Sequence, residues 1–186
     1  MSWYEALDQW TADYLPDMVY EHDAPLSRHT SFRIGGPARR MAFPKDGSQM
    51  VLLIEAARTC GARPLVIGNG TNLLFPDEGV DRLVVNTRDM SGVTLDAEGR
   101  VAAEAGASLS RVAVFAQQHG LTGLEFAHGI PGSVGGAVCM NAGAYGGEMR
   151  QVVREATVLF PEEGIRTLTV EELAFSYRHS LLTDRP

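Results

Sequence analysis

Cysteine is scarce in this chain: Cys60 and Cys139 are the only two among 186 residues. A disulfide framework is thereby excluded, and two thiols in a chain of this size read as reduced cysteines of a cytoplasmic protein. Long apolar runs are missing as well. No stretch approaches the roughly 20 residues needed to span a bilayer. Residues 1–10 lack the basic segment and apolar run of a secretory signal. Positive charge is in deficit: 16 Lys and Arg stand against 23 Asp and Glu, a net charge of −7. That balance argues against nucleic acid or an anionic membrane as a partner. It leaves room for a small anion held by local arginines and backbone N–H groups. The five histidines (His22, His29, His119, His128, His179) share no metal-ligand spacing with one another or with the cysteines, so no metal is expected. Internal repeats and low-complexity tracts are also missing.

What is present is an ordinary globular composition, 45% hydrophobic and 21% charged, long enough for one domain or one domain with two lobes. Trp3, Leu7, Trp10 and Tyr14 recur at helical spacing before Pro16, which predicts an amphipathic helix in a lead-in over residues 1–28. Residues 48–60 predict a second helix, with Gly61 suited to its end. Strands are expected over 40–43, 64–67 and 83–86. A hairpin is expected over 93–95 and 101–105, about Asp96-Ala97-Glu98-Gly99. Ser108 is placed to cap a helix with Leu109, Val112, Ala113 and Ala116 on its apolar face. Residues 152–160 and 165–168 predict another hairpin, after which Thr169-Val170-Glu171-Glu172 fits a capping box opening a short helix. Strands and helices in mixed order point to an α+β fold.

The densest feature is the run over residues 129–147, which holds seven glycines in 19 positions. Glycine loses the most freedom on folding, so such a cluster implies a backbone that needs positive φ or close approach. Ile130-Pro131-Gly132 reads as a rigid turn, and Ser133-Val134-Gly135-Gly136-Ala137 carries side chains too small to block a ligand. A flavin ring or a pyrophosphate could lie on that backbone; a tight crossing of two elements is the alternative. A second glycine-rich segment, Gly68-Asn69-Gly70-Thr71-Asn72-Leu73-Leu74, follows a predicted strand and has the logic of a phosphate cradle. It is neither a Walker loop nor a dinucleotide fingerprint, and alone it could be a plain tight turn. His128 could approach a ligand or serve packing. Tyr145 could meet a substrate phosphate or sit in the core. Cys139 is expected to be buried.

Four segments occur in order: Thr30-Ser31-Phe32-Arg33-Ile34-Gly35-Gly36-Pro37-Ala38, the loop over 68–74, the run over 129–147, and Tyr177-Arg178-His179-Ser180. Together they resemble the UDP-N-acetylenolpyruvoylglucosamine reductase (MurB) family of peptidoglycan precursor synthesis, over nearly all of residues 29–180. The wording Asn-Ala-Gly-Ala-Tyr-Gly-Gly is closest to the family's second type. The resemblance implies a two-lobed FAD-binding domain of the vanillyl-alcohol-oxidase/PCMH kind over 29–186, with a lobe boundary near 88–92 and the cofactor between the lobes. It implies non-covalent FAD, with NADPH as hydride donor and a UDP-sugar substrate, UDP-N-acetylglucosamine enolpyruvate, reduced to UDP-N-acetylmuramate. Gly68, Asn69, Gly70, Thr71, Asn72 and Leu73 would hold the pyrophosphate. Ile130, Pro131, Gly132, Ser133, Gly135, Gly136 and Ala137 would line the flavin.

Reduction of an enol ether conjugated to a carboxylate moves negative charge onto that carboxylate, so a fixed cation there lowers the barrier. Arg178 matches the family arginine with this role, and its forked donors suit a carboxylate. Tyr145 and Tyr177 join it as expected substrate contacts. The family's proton-donating serine and assisting glutamate lie beyond the matching segment, and neither Ser133 nor Ser180 stands at the matching position. Family chains also carry a further substrate-binding domain, so the resemblance implies an incomplete FAD-binding fragment, weak or inactive alone. A non-catalytic FAD- or nucleotide-binding module, and another oxidoreductase of the same flavin fold, remain the alternatives.

Overall fold

The structure, a computed structural model, describes residues 1–184. The chain divides into two compact units, Met1–Met90 and a second from Ser91 onward.

The first unit begins with helix α1, Trp3–Tyr14, closed at its start by a reciprocal Ser2–Glu5 capping box. The lead-in expected to follow it contains strand β1, Val19–Pro25, which pairs antiparallel with β2, Pro37–Phe43. Helix α2, Gly47–Cys60, is capped by Asp46 and closed by Gly61 at φ 73°. It leads into β3, Pro64–Ile67, and then β4, Val80–Asn86. The sheet order is β1-β2-β4-β3, with β4 parallel to both β2 and β3. The last four residues of both β2 and β4 are buried throughout, as parallel strands covered on both faces must be. Leu26, Met41, Phe43, Ile67, Phe75 and Val84 form the core.

Helix α1 is tied to this sheet by charge. Arg40 donates from Nε and Nη2 to both oxygens of Asp8, each at 2.6 Å, and the Tyr20 hydroxyl adds a third bond at 3.0 Å. Burial works against ionisation of Asp8, but the bonds from Arg40 and Tyr20 outweigh it and hold the carboxyl below its ordinary value. The Tyr20 phenol, buried beside that carboxylate, is pushed well above its ordinary value.

The second unit has no large sheet among its described residues. Its strands form three two-stranded ribbons: β5, Val93–Leu95, with β6, Val101–Ala103; β7, Gly143–Ala144, with β8, Gly147–Glu148; and β9, Glu155–Phe160, with β10, Gly164–Thr169. Helix α3, Leu109–Gln118, starts at the Ser108 cap, α4 spans Val134–Cys139, and α5 spans Leu181–Asp184. Leu109, Phe126, Val138, Met149, Leu168 and Leu173 pack together between them.

Three local expectations change here. Strand β6 stops at Ala103 because the carbonyl of Ala105 accepts instead from Gly135 N–H at 2.8 Å. Strand β9 starts late because Val152 and Val153 both donate back to Met149 O. The Thr169–Glu172 capping box forms, yet no helix follows it. A single turn closes from Leu173 N–H to Thr169 O, and Ala174 at φ 48° then redirects the chain. Among the described residues, no helix is long and apolar enough to cross a membrane.

Candidate functional site

The four sequence segments assemble as two pairs, one in each unit. In the first unit, residues 26–36 form a loop closed at its base, where Leu26 and Ser27 donate to Gly36 O and Gly35 O. Its tip lies on the loop after β3: Ser31 N–H donates to Gly70 O at 3.1 Å. Gly70 adopts φ 63°, and a Cβ there would stand 2.0 Å from His29 O. Its missing side chain therefore serves the close approach of two protein backbones.

Between these loops and the end of β4 lies an open groove of about 430 Å³. Its lining includes Arg28, Arg33, Arg88, Thr30, Ser31 and Asn69, together with His29, Gly68 and Asn86. Arg88 sits with its guanidinium 4.0 Å from the centre of the Phe43 ring, a cation–π contact. Burial lowers the affinity of His29 for a proton, and the nearby charges of Arg88 and Arg28 add to the effect. Of the expected cradle residues, Gly68 and Asn69 line this groove, while Gly70 is buried beneath the neighbouring loop. His29, Arg28, Arg33, Asn86 and Arg88 were missed by sequence reasoning. They come from two separate segments, 28–33 and 86–88, and only the arginines flanking Thr30-Ser31 hinted at the first.

In the second unit, the glycine run folds into α4 and the β7–β8 hairpin. The N–H groups expected to face a ligand are largely spent on the protein. Val134 donates to Ala107 O, Gly135 to Ala105 O and Gly136 to the Ser133 hydroxyl. A Cβ on Gly147 would meet the Phe126 ring at 2.6 Å. The tight-crossing alternative therefore accounts for much of this run. Ser133 caps α4, and Ala137, 3% exposed, belongs to the core. Ile130 and Gly132 stay partly exposed, Pro131 and Gly136 exposed, leaving a small-residue surface.

Tyr145 is 95% exposed at the tip of the β7–β8 hairpin, which excludes a core role. Both tip residues, Tyr145 and Gly146, have positive φ, as a two-residue hairpin requires. Ser176 and His179 exchange backbone hydrogen bonds of 3.0 and 3.2 Å around a second tip, Tyr177-Arg178. Tyr177 is 87% exposed, and the Arg178 guanidinium lies 5.7 Å from its ring centre. Arg178 itself adopts φ 55°, a conformation costing a non-glycine residue roughly 1 kcal/mol. The following residues anchor the turn. Ser180, fully buried, donates to Cys139 O at 2.6 Å, and the Thr183 hydroxyl joins it at 2.9 Å. Cys139 is half-buried rather than buried, and its carbonyl is its contribution. His128 is exposed, its carbonyl bonded by the Ser110 hydroxyl.

A mixed α+β chain with three arginines and several neutral donors around one groove of its first unit has the chemistry of a protein that holds a phosphorylated ligand. It belongs to the FAD-binding-domain family, whose model matches residues 38–169. Among curated proteins it is 45% identical to the UDP-N-acetylenolpyruvoylglucosamine reductase of Agathobacter rectalis, over 93% of this chain and 59% of that one. It is 46% identical to the reductase of the same name from Levilactobacillus brevis, over 93% and 57%. The chain thus spans less than two thirds of these relatives. Among solved structures, UDP-N-acetylenolpyruvylglucosamine reductase (MurB) from Thermus caldophilus matches with TM-score 0.70 and 35% identity, covering 90% of this chain and 58% of that one. A glucooligosaccharide oxidase from Acremonium strictum matches with TM-score 0.68 at 17% identity, and at that level the likeness shows the fold alone. The fold is accordingly that of the PCMH-type FAD-binding domains.

The residues present fit FAD. Three guanidinium groups, two hydroxyls and two side-chain amides around one groove, with no carboxylate among its lining, match the charge and donors that a pyrophosphate needs.

Proposed function

We propose that this chain is the FAD-binding portion of a cytoplasmic, NADPH-dependent reductase that converts UDP-N-acetylglucosamine enolpyruvate to UDP-N-acetylmuramate. One observation carries the reading: an arginine held out on a backbone-strained turn, in a chain 45% identical to proteins named for that reduction. Non-covalent FAD, when bound and reduced by NADPH, would supply the hydride. Arg28, Arg33 and Arg88 hold the pyrophosphate, with Thr30, Ser31, Asn69 and Asn86 as neutral donors. Ile130, Pro131, Gly132 and Gly136 offer a surface low enough for a ring system to reach the main chain.

Arg178 meets the substrate carboxylate. Negative charge moves onto that group as the adjacent double bond is reduced, and a cation already in place needs no reorganisation at that moment. Tyr177 and Tyr145 present hydroxyls to the nucleotide-sugar phosphates. No residue of this chain is assigned the proton delivered to the α-carbon.

Purified residues 1–186 should take up FAD and show flavin absorbance. The full-length protein loaded with FAD should oxidise NADPH rapidly only when the enolpyruvyl sugar is added. A colourless chain that binds no added FAD, or NADPH oxidation indifferent to that substrate, overturns the reading.

A further inference from the structure

Asn141 stands between the two tyrosine-bearing turns and touches the bases of both. It is 1% exposed and adopts φ 44°, a region where asparagine is among the few tolerated non-glycine residues. Its amide is fully used. Nδ2 donates to Ser176 O at 2.9 Å and to the Glu148 carboxylate at 2.9 Å, and Oδ1 accepts from Arg150 N–H at 3.0 Å. Glu148 ends β8, one side of the Tyr145 hairpin. Ser176 O is the same carbonyl that accepts His179 N–H to close the Tyr177-Arg178 turn.

We infer that Asn141 is a positioning residue: its side-chain amide fixes the turn that carries Arg178 and couples it to the Tyr145 hairpin. The inference rests on the role proposed above for Arg178. The chemistry of the position explains the residue type. Two donors must face two oxygens, so aspartate would set a carboxylate against Glu148 and the Ser176 carbonyl. An alanine or leucine would leave Ser176 O and Arg150 N–H without this partner. A fixed amide is also a better anchor than a longer side chain, because it has fewer rotors to immobilise. The anchor matters because Arg178 holds a disfavoured backbone conformation, which persists only where the surroundings over-determine it.

Two measurements on the full-length, FAD-loaded protein test this. The first is the rate of trypsin cleavage after Arg178, which reads opening of the turn directly. The second is stopped-flow kinetics, separating flavin reduction by NADPH from flavin reoxidation by the enolpyruvyl sugar. Asn141→Ala is expected to speed cleavage about tenfold. It should slow reoxidation by about 100-fold, the scale of a misplacement of about 1 Å, while flavin reduction stays at the wild-type rate. Glu148→Ala, which removes one of the two acceptors, should act in the same direction by about threefold and serves if Asn141→Ala does not fold. Unchanged cleavage in the variant that folds overturns the inference. So does faster cleavage with unaltered reoxidation, provided Arg178→Ala abolishes reoxidation in parallel. Unaltered reoxidation in Arg178→Ala instead overturns the proposed role of Arg178, and the inference with it.

Discussion

The two units place their motif residues by different means. In the first, backbone meets backbone: Ser31 N–H on Gly70 O, with no room at Gly70 for a Cβ. The side chains left over, three arginines among them, line one groove. In the second, a buried side chain organises the turns, and the exposed residues are the tyrosines and the arginine themselves. The difference follows from the scaffold. A four-stranded sheet brings its loops to fixed places, so close backbone approach suffices to shape them. Two-stranded ribbons are marginal supports on their own, and the Tyr177-Arg178 turn is closed by a single isolated bridge, so these turns need extra anchors such as Asn141 and Ser180.

The largest expected effect separates chemistry from cofactor binding. Arg178→Ala in the full-length protein should lower substrate-dependent NADPH oxidation about 1,000-fold, roughly 4 kcal/mol of transition-state stabilisation. Its flavin spectrum should be unchanged. Loss of bound flavin in that variant would erase the distinction between the units.

Gly70→Ala tests the first unit in the same way. A Cβ 2.0 Å from a carbonyl oxygen cannot be absorbed by a flexible side chain, so the loops must part. The expected loss is about 3 kcal/mol of stability together with FAD affinity, measured by thermal melting and by flavin titration. A well-folded Gly70→Ala protein that retains FAD would show that close approach here is dispensable.

Asp8→Asn removes the charge that ties α1 to the sheet and should cost about 2 kcal/mol, the scale of hydrogen bonds to charged groups. The pH dependence has a definite sign. The folded Asp8 carboxyl lies below its ordinary value of 3.8. Its stabilisation is therefore present above that pH and is lost as pH falls through the lower, folded value. Acid unfolding of the wild type should be steeper there than that of Asp8→Asn.

The smallest effect belongs to His29. Its folded pKa lies below the ordinary 6.5, so the imidazole is neutral in the free groove at neutral pH. A bound phosphate favours its protonated form. FAD affinity should rise about threefold between about pH 7.5 and about pH 5.5 and lose that dependence in His29→Gln. An unaltered slope in His29→Gln would place the phosphates away from His29.

Local elements were largely legible. The helix ending at Gly61, the strand at Pro64–Ile67 and the cap at Ser108 follow from cap chemistry and apolar spacing. Strand β1 was not, because its burial alternates weakly and its partner β2 lies 12 residues on, beyond a loop. The helix expected after Thr169 failed because a capping box fixes only the first turn, and Leu173 is drawn into the core by tertiary contacts. Of the expected site residues, Gly68 and Asn69 line the groove of the first unit, and Tyr177 and Arg178 are exposed on a turn of the second. At Gly70 and Gly147 the missing Cβ makes room for protein atoms, His29 O and the Phe126 ring; composition shows that a Cβ is unwelcome but not what would collide with it.

From residues alone came the absences, the α+β order and the four motifs, because propensity, capping and spacing act over a few neighbours in the chain. The pairing of those motifs, the gathering of Arg28, Arg33 and Arg88 around one groove, and the position of Asn141 at the base of two turns were decided by tertiary structure. Each joins residues far apart in sequence, and nothing local distinguishes an asparagine that faces water from one whose every hydrogen bond is made inside the protein.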